Sequence, residues 1–188
     1  GWCWKGGGAP TTTNVAGAGN VPTSGSVKID QADSTAALAG SIAATKISAN
    51  TQAGLSIVSY TGDGNASASV AHGLNASPNL WIIKQTSGTQ NWLVGSSSLG
   101  ASDRYLILDG SNAELTNAPN IWSVSSSTIT FPTSYTGTNN NLSTYIGYFF
   151  HDVTGYQKIG SYTGNGSTAG PIVNTGFEPA FLLIKRID

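Results

Sequence analysis

Charged side chains are scarce in this sequence. Lysine and arginine together number 8 and aspartate and glutamate 9, so only 9% of the 188 residues are charged, against roughly 25% in an ordinary soluble domain. The formal net charge is -1, and no basic stripe is present that could collect phosphate groups. The composition therefore gives no support to nucleic acid as a partner, and hydroxyl and amide groups must keep the surface soluble.

Thiols and long apolar runs are also nearly missing. Cys3 is the single cysteine, so this chain alone can form neither an internal disulfide nor a thiolate metal cage. No apolar run approaches the roughly 18 residues of a membrane helix, and the first residues lack the regions of a signal peptide. We expect no membrane insertion, no metal and no cofactor.

Glycine, hydroxyl residues and aromatics are abundant, and from residue 54 onward they are arranged as short strands separated by turns. Residues 80–83 and 105–108 are apolar at every position, so both faces of those strands should be covered. Asp63-Gly64 and Asn165-Gly166 are expected to form the tips of type I′ hairpins. The predicted strands are 55–60, 80–85, 92–94, 105–108, 128–131 and 145–151. Because no amphipathic helices intervene, the sequence predicts an all-β fold, an antiparallel β-sandwich of jelly-roll or concanavalin A-like type.

An internal repeat of about one hundred residues divides the chain. Residues 54–65 reappear as 155–167 with one insertion, 72–74 correspond to 175–177, and 78–84 correspond to 179–185. Residues 1–5 resemble 147–151, the end of the complete unit. The expected domains are therefore 1–5 as the last strand of a preceding unit, 6–53 as a linker or insertion rich in small residues, 54–155 as a complete repeat, and 156–188 as the opening strands of a second, truncated repeat.

Two further expectations concern this organisation. Within the linker-like stretch, residues 36–47 could form a short helix, although Gly40 interrupts it. If the repeat is structural, residues 161–188 should repeat the geometry of residues 59–84. Strands cut from their own unit leave unpaired backbone groups, so both terminal segments should be paired in the intact assembly.

Catalytic and metal-binding patterns are weak. His72 and His151 stand apart from other ligands, and His72 is replaced by Thr175 in the second copy, which favours a structural role. Nothing in the spacing selects a glycosidase pair among the carboxylates, which are Asp63, Asp103, Asp109, Glu114 and Asp152. The turn at Asp63-Gly64-Asn65 has too few ligands for a calcium loop. We expect no catalytic residues and no enzymatic activity.

Tryptophan is the remaining candidate for ligand contact, because its ring faces can stack on sugars. Trp81 lies in a fully apolar run and is predicted to be core. Trp92 and Trp122 flank polar loops, so they are the candidate glycan-contact residues.

Several of these strings together resemble a family of uncharacterised repeats in large structural proteins of marine bacteriophages, often beside concanavalin A-like lectin domains. They include Ser-Tyr-Thr-Gly-Asn-Gly at 161–166, Asn91-Trp92-Leu93-Val94, and residues 145–150. The resemblance implies a virion component such as a tail fibre or another surface appendage, without enzymatic residues. A Tyr-Cys or Trp-Cys pattern is common in that family where Phe149 and Phe150 stand, which implies a core role for Cys3 at the matching position.

The leading hypothesis is therefore a non-enzymatic virion surface module whose partners are other copies of itself or neighbouring virion proteins, and which contributes to binding of host surface glycans. A glycan-binding adhesin of a cellular surface protein is the alternative, and a polysaccharide-degrading tailspike is a weaker one. Each hypothesis places the protein on a virion surface or in an extracellular setting.

Overall fold

The computed structural model describes residues 3–116 and 120–188, and the fold is nearly all-β. None of the helices in the described part is long and apolar enough to cross a membrane. A 3-10 turn, Ser97–Leu99, and one short helix, α1 (Thr136–Asn139), are also present. The strands are β1 (Val27–Ile29), β2 (Ala32–Asp33), β3 (Lys46–Asn50), β4 (Leu55–Thr61), β5 (Ala68–Ala71), β6 (Leu80–Gln85), β7 (Leu93–Ser96), β8 (Arg104–Ile107), β9 (Leu115–Thr116), β10 (Ser123–Val124), β11 (Thr128–Phe131) and β12 (Thr144–Phe150).

The strands form two sheets. The large sheet has the order β2-β1-β3-β4-β12-β6-β7-β8-β9, and the small sheet has the order β10-β11-β5. Every strand pair is antiparallel except β1 with β3. The last strand in the chain, β12, lies in the middle of the large sheet and pairs through seven residues with β4 and through six with β6. It therefore joins two strands that do not pair with each other.

The main apolar cluster takes its residues from both sheets. The large sheet contributes Val58, Ile83 and Phe149, and the small sheet contributes Val70 and Ile129, all with 0% exposure. Side chains alternate between the two faces of a strand. The residues between these positions in the large sheet therefore lie on its opposite face.

Two stacked tyrosines connect the core to α1. The rings of Tyr60 and Tyr145 lie 5.1 Å apart with planes 15° from parallel. Tyr60 Oη donates to the Thr138 carbonyl at 2.7 Å, and Tyr145 Oη donates to the Thr136 carbonyl at 2.7 Å. Burial, with a smaller effect of nearby Tyr145, raises the pKa of Tyr60 well above its ordinary value, and burial also raises the pKa of Tyr145. Both hydroxyls therefore stay protonated donors at physiological pH.

All six predicted strands are confirmed. The predictions at 80–85 and 128–131 match β6 and β11 at both ends, and the other four differ by one or two residues. Apolar neighbours cover both faces of β6 and β8, as the continuous apolar runs indicated. The strands that the sequence did not predict are short or contain mostly small residues.

The expected hairpin at Asp63-Gly64 is wrong. The strands on either side, β4 and β5, belong to different sheets, so this turn carries the chain from one sheet to the other. A type I′ turn requires positive φ at both central residues. Only Gly64 has it, at +70°, and at the matching Asn165-Gly166 only Gly166 has it, at +68°.

Residues 6–53 are not simply a linker, because they contribute β1, β2 and β3 to the large sheet. Val27, Ile47 and Ala49 are at most 1% exposed. The short helix expected at 36–47 is wrong as well, since no helix is present there. This segment packs through its backbone: a Cβ on Gly7 would lie 1.8 Å from the Ala49 carbonyl oxygen. Such close packing requires small residues. A segment of small residues shows no alternation of apolar and polar side chains, so its strands could not be predicted from sequence.

Residues 156–188 contain no strand, although residues 59–84, which they match in sequence, lie in β4, β5 and β6. The turns are nevertheless shared. Gly73 and Gly176 have φ of +73° and +81°, and Gly64 and Gly166 have φ of +70° and +68°. The second segment thus repeats the turns of the first but not its strand pairing.

Candidate functional site

His72 is a buried structural side chain. It is 0% exposed and lies beside the ring of Phe149, at a centroid distance of 5.6 Å. Its Nδ1 accepts from the Leu74 N–H at 3.2 Å, which places the ring proton on Nε2, and Nε2 donates to the Ser125 carbonyl at 3.1 Å. Burial lowers the pKa of His72 from 6.5 to about 4, with a smaller effect from His151. Both ring nitrogens are occupied, so the imidazole is not placed for metal binding or proton transfer.

Asp63 organises the turn between the two sheets. Its Oδ1 accepts from the Asn65 N–H at 2.9 Å and from Asn139 Nδ2 at 3.0 Å, and Asn139 Oδ1 accepts from the Asp63 N–H at 3.0 Å. Partial burial is the largest effect on the pKa of Asp63 and raises it, but these hydrogen bonds together outweigh it and lower the pKa. The turn is held by its own hydrogen bonds.

The other candidate carboxylates make separate contacts. Arg104 Nη1 lies 2.5 Å from Glu114 Oε1, and its Nε lies 3.7 Å from Asp103 Oδ1. Asp152 pairs with Lys158 at 2.6 Å, and Asp109 Oδ1 accepts from the Trp92 backbone N–H at 3.1 Å. Across residues 3–116 and 120–188, no three His, Cys, Asp or Glu side chains come together as metal ligands.

One open cleft of about 390 Å³ lies between residues 152–158 and residues 174–176. Its carboxylate, Asp152, is paired with Lys158 and also accepts from the Ile159 N–H at 2.8 Å. None of the candidate tryptophans lines this cleft. Its walls are mainly backbone and small polar side chains.

Trp122 does not have the glycan-contact role that its position suggested. It is 1% exposed and packs edge-on against Trp81 and Tyr105, at centroid distances of 5.7 and 6.5 Å. The next residue, Ser123, is exposed, so the chain directs the indole inward and the hydroxyl outward. Trp81 is 5% exposed, which confirms its predicted place in the core.

Trp92 lies at the surface. Its side chain is partly exposed and stacks on Tyr148, with a centroid distance of 6.3 Å and planes 25° apart. Its backbone is fixed by the hydrogen bond to Asp109 and by the Leu108 N–H, which donates to the Trp92 carbonyl at 2.9 Å. The glycan-contact role of Trp92 stays a prediction.

Trp92 and Tyr148 belong to a second apolar cluster, which we call the outer face. Leu80 and Ile82 of this cluster alternate along β6 with Trp81 and Ile83 of the main cluster, so the two clusters lie on opposite faces of the large sheet. The outer face consists of buried Ile82, Val94 and Leu106, with partly buried Leu80, Trp92, Leu99, Leu108, Tyr148 and Phe150.

The outer face is continuous across strands. Ile57, Tyr148, Ile82, Val94 and Leu106 are successive register partners on β4, β12, β6, β7 and β8. At the usual strand spacing of 4.7–4.9 Å, this apolar row is about 19 Å wide. The side chains of neighbouring strands cover one another from solvent. Together the five strands form one apolar strip.

Trp4 lies at one end of this strip. It is 45% exposed and contacts Phe150 and Phe181 edge-on, at centroid distances of 6.5 and 5.2 Å. The aromatic surface therefore extends from Trp92 through β12 to the two terminal segments of the described chain.

A family model described as a domain of unknown function (DUF7483) matches residues 28–188. The chain belongs to the DUF7483 family. No curated protein and no solved structure matches it. The DUF7483 match begins inside β1, so it includes most of β1 and all of β2 and β3, within the segment that the sequence predicts to be a linker or insertion. It also spans the strand-free residues 156–188.

The outer face of this DUF7483 chain was not predicted from sequence as a site. Its signal was present in the alternation of Leu80 with Ile82 and of Trp92 with Val94. The fully apolar run at 80–83 indicated that both faces of β6 are covered but not what covers the second face. Only the register of β6 with β7 and β12 shows that these residues form one surface.

Proposed function

We propose that this DUF7483 chain is a non-enzymatic structural module of a bacteriophage virion, in a tail fibre or another surface appendage, and that its outer face packs against another copy of the module. The observation that carries the proposal is the apolar row across five strands. An antiparallel sheet with one solvated face normally alternates apolar and polar residues, whereas here the same face is apolar on five adjacent strands. Ile57, Trp92 and Tyr148 remain partly exposed on it, and exposed apolar side chains that lie together mark an interaction surface.

A second copy is favoured as the partner by the contact between Trp4 and Phe150. These residues occupy matching positions in the two repeats, at the fourth residue of 1–5 and of 147–151. The contact shows that these two aromatic positions pack on each other, and an isologous interface likewise brings the same patch of two copies together. With 8 basic and 9 acidic residues in the chain, few like charges oppose such packing.

For the fold itself, we infer an antiparallel β-sandwich built as a tandem repeat of about one hundred residues. The core shared by the two sheets supports the sandwich, and the matching turns at Gly64 and Gly166 support the repeat. The assignment to a virion surface depends on the resemblance of several sequence strings to phage structural modules.

The test of the virion assignment is mass spectrometry of phage particles purified on a density gradient from the source that encodes this chain. Its peptides should sediment with the capsid proteins in a fixed ratio. Recovery only in the soluble fraction, free of particles, would contradict the proposal. Polysaccharide-degrading activity of the purified chain would favour a tailspike instead.

Trp92 supports a second candidate, a glycan-binding module on a virion or on a cellular surface protein. A partly exposed indole stacked on a tyrosine offers an aromatic platform to a sugar ring. Glycan-array binding that is lost in Trp92→Ala and kept in Tyr156→Ala, an exposed aromatic that is not part of the outer face, would support this candidate. Equal signals from both variants would exclude it.

A further inference from the structure

The turn between β1 and β2 holds two residues in an uncommon backbone conformation. Ile29 and Ala32 are register partners, so Asp30 and Gln31 form the whole loop of this hairpin. Their φ angles are +50° and +75°, as a type I′ turn requires at both central positions. Glycine is favoured at the second position of such a turn, because a residue with a Cβ is strained there. The glutamine at position 31 therefore calls for an explanation.

Asp30, the first residue of the turn, attaches the hairpin to β3. Its N–H donates to the Ala49 carbonyl at 2.9 Å. Its Oδ1 accepts from the Thr51 N–H at 2.8 Å, and its Oδ2 accepts from Thr51 Oγ1 at 2.6 Å. None of these three hydrogen bonds involves Gln31, so a change of the Gln31 side chain leaves them in place.

Gln31, the second residue of the turn, binds a different stretch of the chain, residues 4–8, which we call the arm. Gln31 Nε2 donates to the Gly6 carbonyl at 2.8 Å, and the Gln31 N–H donates to the Gly7 carbonyl at 2.8 Å. The Gly7 N–H in turn donates to Ser48 Oγ of β3 at 3.0 Å. Three hydrogen bonds thus fix two consecutive residues of the arm.

Glycines allow the arm to lie directly on the large sheet. A Cβ on Gly7 would lie 1.8 Å from the Ala49 carbonyl oxygen, and a Cβ on Gly6 would lie 3.0 Å from Ser48 Oγ. Ser48 is the register partner of Ile57, and the side chains of antiparallel register partners point to the same face. The arm therefore lies on the same side of the sheet as the outer face.

Trp4, two residues before Gly6, reaches the end of the outer face. It is 45% exposed and contacts Phe150 at 6.5 Å and Phe181 at 5.2 Å, both edge-on. Phe150 belongs to the outer face and is the register partner of Leu80, another of its residues. The exposed part of Trp4 is therefore continuous with the apolar strip, and its position is limited by the hydrogen bonds at Gly6.

We propose that Gln31 is a positioning residue for self-association: it fixes the arm on the sheet, so that Trp4 forms part of the surface that packs against a second copy. This inference rests on the proposed function and adds two residues to the same interface. A side chain that is already ordered loses less conformational entropy on association. The role also explains the glutamine in the turn, since a glycine there would have no side chain to bind the Gly6 carbonyl.

The first measurement follows the arm itself. Cys3 is exposed and is the single cysteine of the chain, so a nitroxide attached to its thiol reports motion beside Trp4 by electron paramagnetic resonance. In dilute Gln31→Gly protein, the rotational correlation time of the nitroxide should shorten at least about twofold, because the bond to the Gly6 carbonyl is lost. The double variant Gln31→Gly/Ser48→Ala removes a second hydrogen bond and should shorten it further.

Asn20→Gly is the matched control. Asn20 Nδ2 donates to the Gly17 and Ala18 carbonyls at 3.3 and 3.4 Å, so this variant also removes an amide side chain that binds backbone carbonyls in a turn. These carbonyls do not belong to the arm, and nitroxide mobility should stay that of the unaltered chain. Thermal unfolding verifies that every variant is folded.

The second measurement is the dissociation constant for self-association of the unlabelled chain, from analytical ultracentrifugation. Gln31→Gly should raise it at least about fivefold, because Trp4 must then be ordered when the copies associate. Trp4→Ser should also raise it. In the Trp4→Ser background, Gln31→Gly should have no further effect, since a residue that acts only through a second one is not additive with it.

Equal nitroxide mobility in the unaltered chain and both Gln31 variants would overturn the proposal, because the turn would then not hold the arm. A more mobile arm with an unchanged dissociation constant would overturn it as well, and so would additive effects of Gln31→Gly and Trp4→Ser. An unaltered chain that stays monomeric would overturn the proposed self-association and, with it, the role of Trp4. Mobility is measured on the monomer, so the hold of Gln31 on the arm is tested separately from the association.

Discussion

Gly95 and Trp81 are register partners on β7 and β6, and the indole lies directly over the glycine. A Cβ on Gly95 would lie 2.2 Å from Trp81 Nε1 and 2.3 Å from Trp81 Cε2. The glycine is required here for space and not for backbone freedom, since its φ is not positive. In the same way, the ring of Phe149 covers Gly147 on its own strand.

The Gly95→Ala substitution should therefore lower the free energy of unfolding by about 1–3 kcal/mol, the usual cost of adding a methyl group to a filled core. Urea unfolding followed by tryptophan fluorescence measures this directly. Gly160→Ala is the matched control, because a Cβ there would have no neighbour within 4 Å. Equal stability of the two variants would show that Trp81 does not pack over Gly95.

His72 should make stability depend on pH. Its pKa is about 4 in the folded protein and 6.5 when unfolded, so between these values the unfolded chain binds more protons. The contribution of neutral His72 to the free energy of unfolding is fully present above pH 6.5. It falls as the pH decreases and is about 3 kcal/mol smaller at pH 4. A protonated Nδ1 would also face the donating Leu74 N–H.

Thermal unfolding of the unaltered chain and of His72→Gln from pH 7.5 to pH 4 measures this dependence. Glutamine keeps a polar side chain but does not titrate, so its melting temperature should change less across the window. Parallel curves for the two proteins would contradict the assignment of this pH dependence to His72.

At the scale of elements, β12 organises the large sheet. It pairs with β4 and β6 and carries Tyr145, which stacks on Tyr60 above α1. The central pairing brings together residues that are far apart in sequence. For this reason the sequence predicted the strand but not its neighbours.

Tyr60→Phe should destabilise this arrangement by about 1–3 kcal/mol, because the Thr138 carbonyl would lose the hydroxyl that donates to it in the core. Hydrogen exchange should also accelerate around residues 136–140. Tyr156→Phe, at a half-exposed position, is the control and should leave both measurements unchanged. No change in the Tyr60 variant would mean that its hydroxyl does not hold α1.

Sequence reasoning succeeded where side-chain pattern determines the local structure. Continuous apolar runs located β6 and β8. The absence of other ligand residues near His72 in the sequence indicated that this histidine is structural. It failed where long-range contacts decide the outcome: Ala49 of β3 packs closely against the backbone of Gly7, and Trp122 is covered by Trp81 and Tyr105. The outer face required the register of five strands, which no local pattern contains.

At the scale of the whole molecule, we propose that a second copy covers the outer face. The aromatic residues at its centre, Trp92 and Tyr148, stack on each other and keep partly exposed surface. Removal of the Tyr148 ring shortens the apolar strip without altering any residue of the main core. The Tyr148→Ser variant therefore isolates this face.

The most direct test is sedimentation velocity over a concentration series for the unaltered chain, Tyr148→Ser, and Tyr156→Ser as the control outside the outer face. Thermal unfolding verifies that all three proteins are folded. We expect the unaltered chain and the control to sediment faster as concentration rises, and Tyr148→Ser to stay monomeric. A monomeric unaltered chain at every concentration, or association that Tyr148→Ser leaves unchanged, would contradict the account.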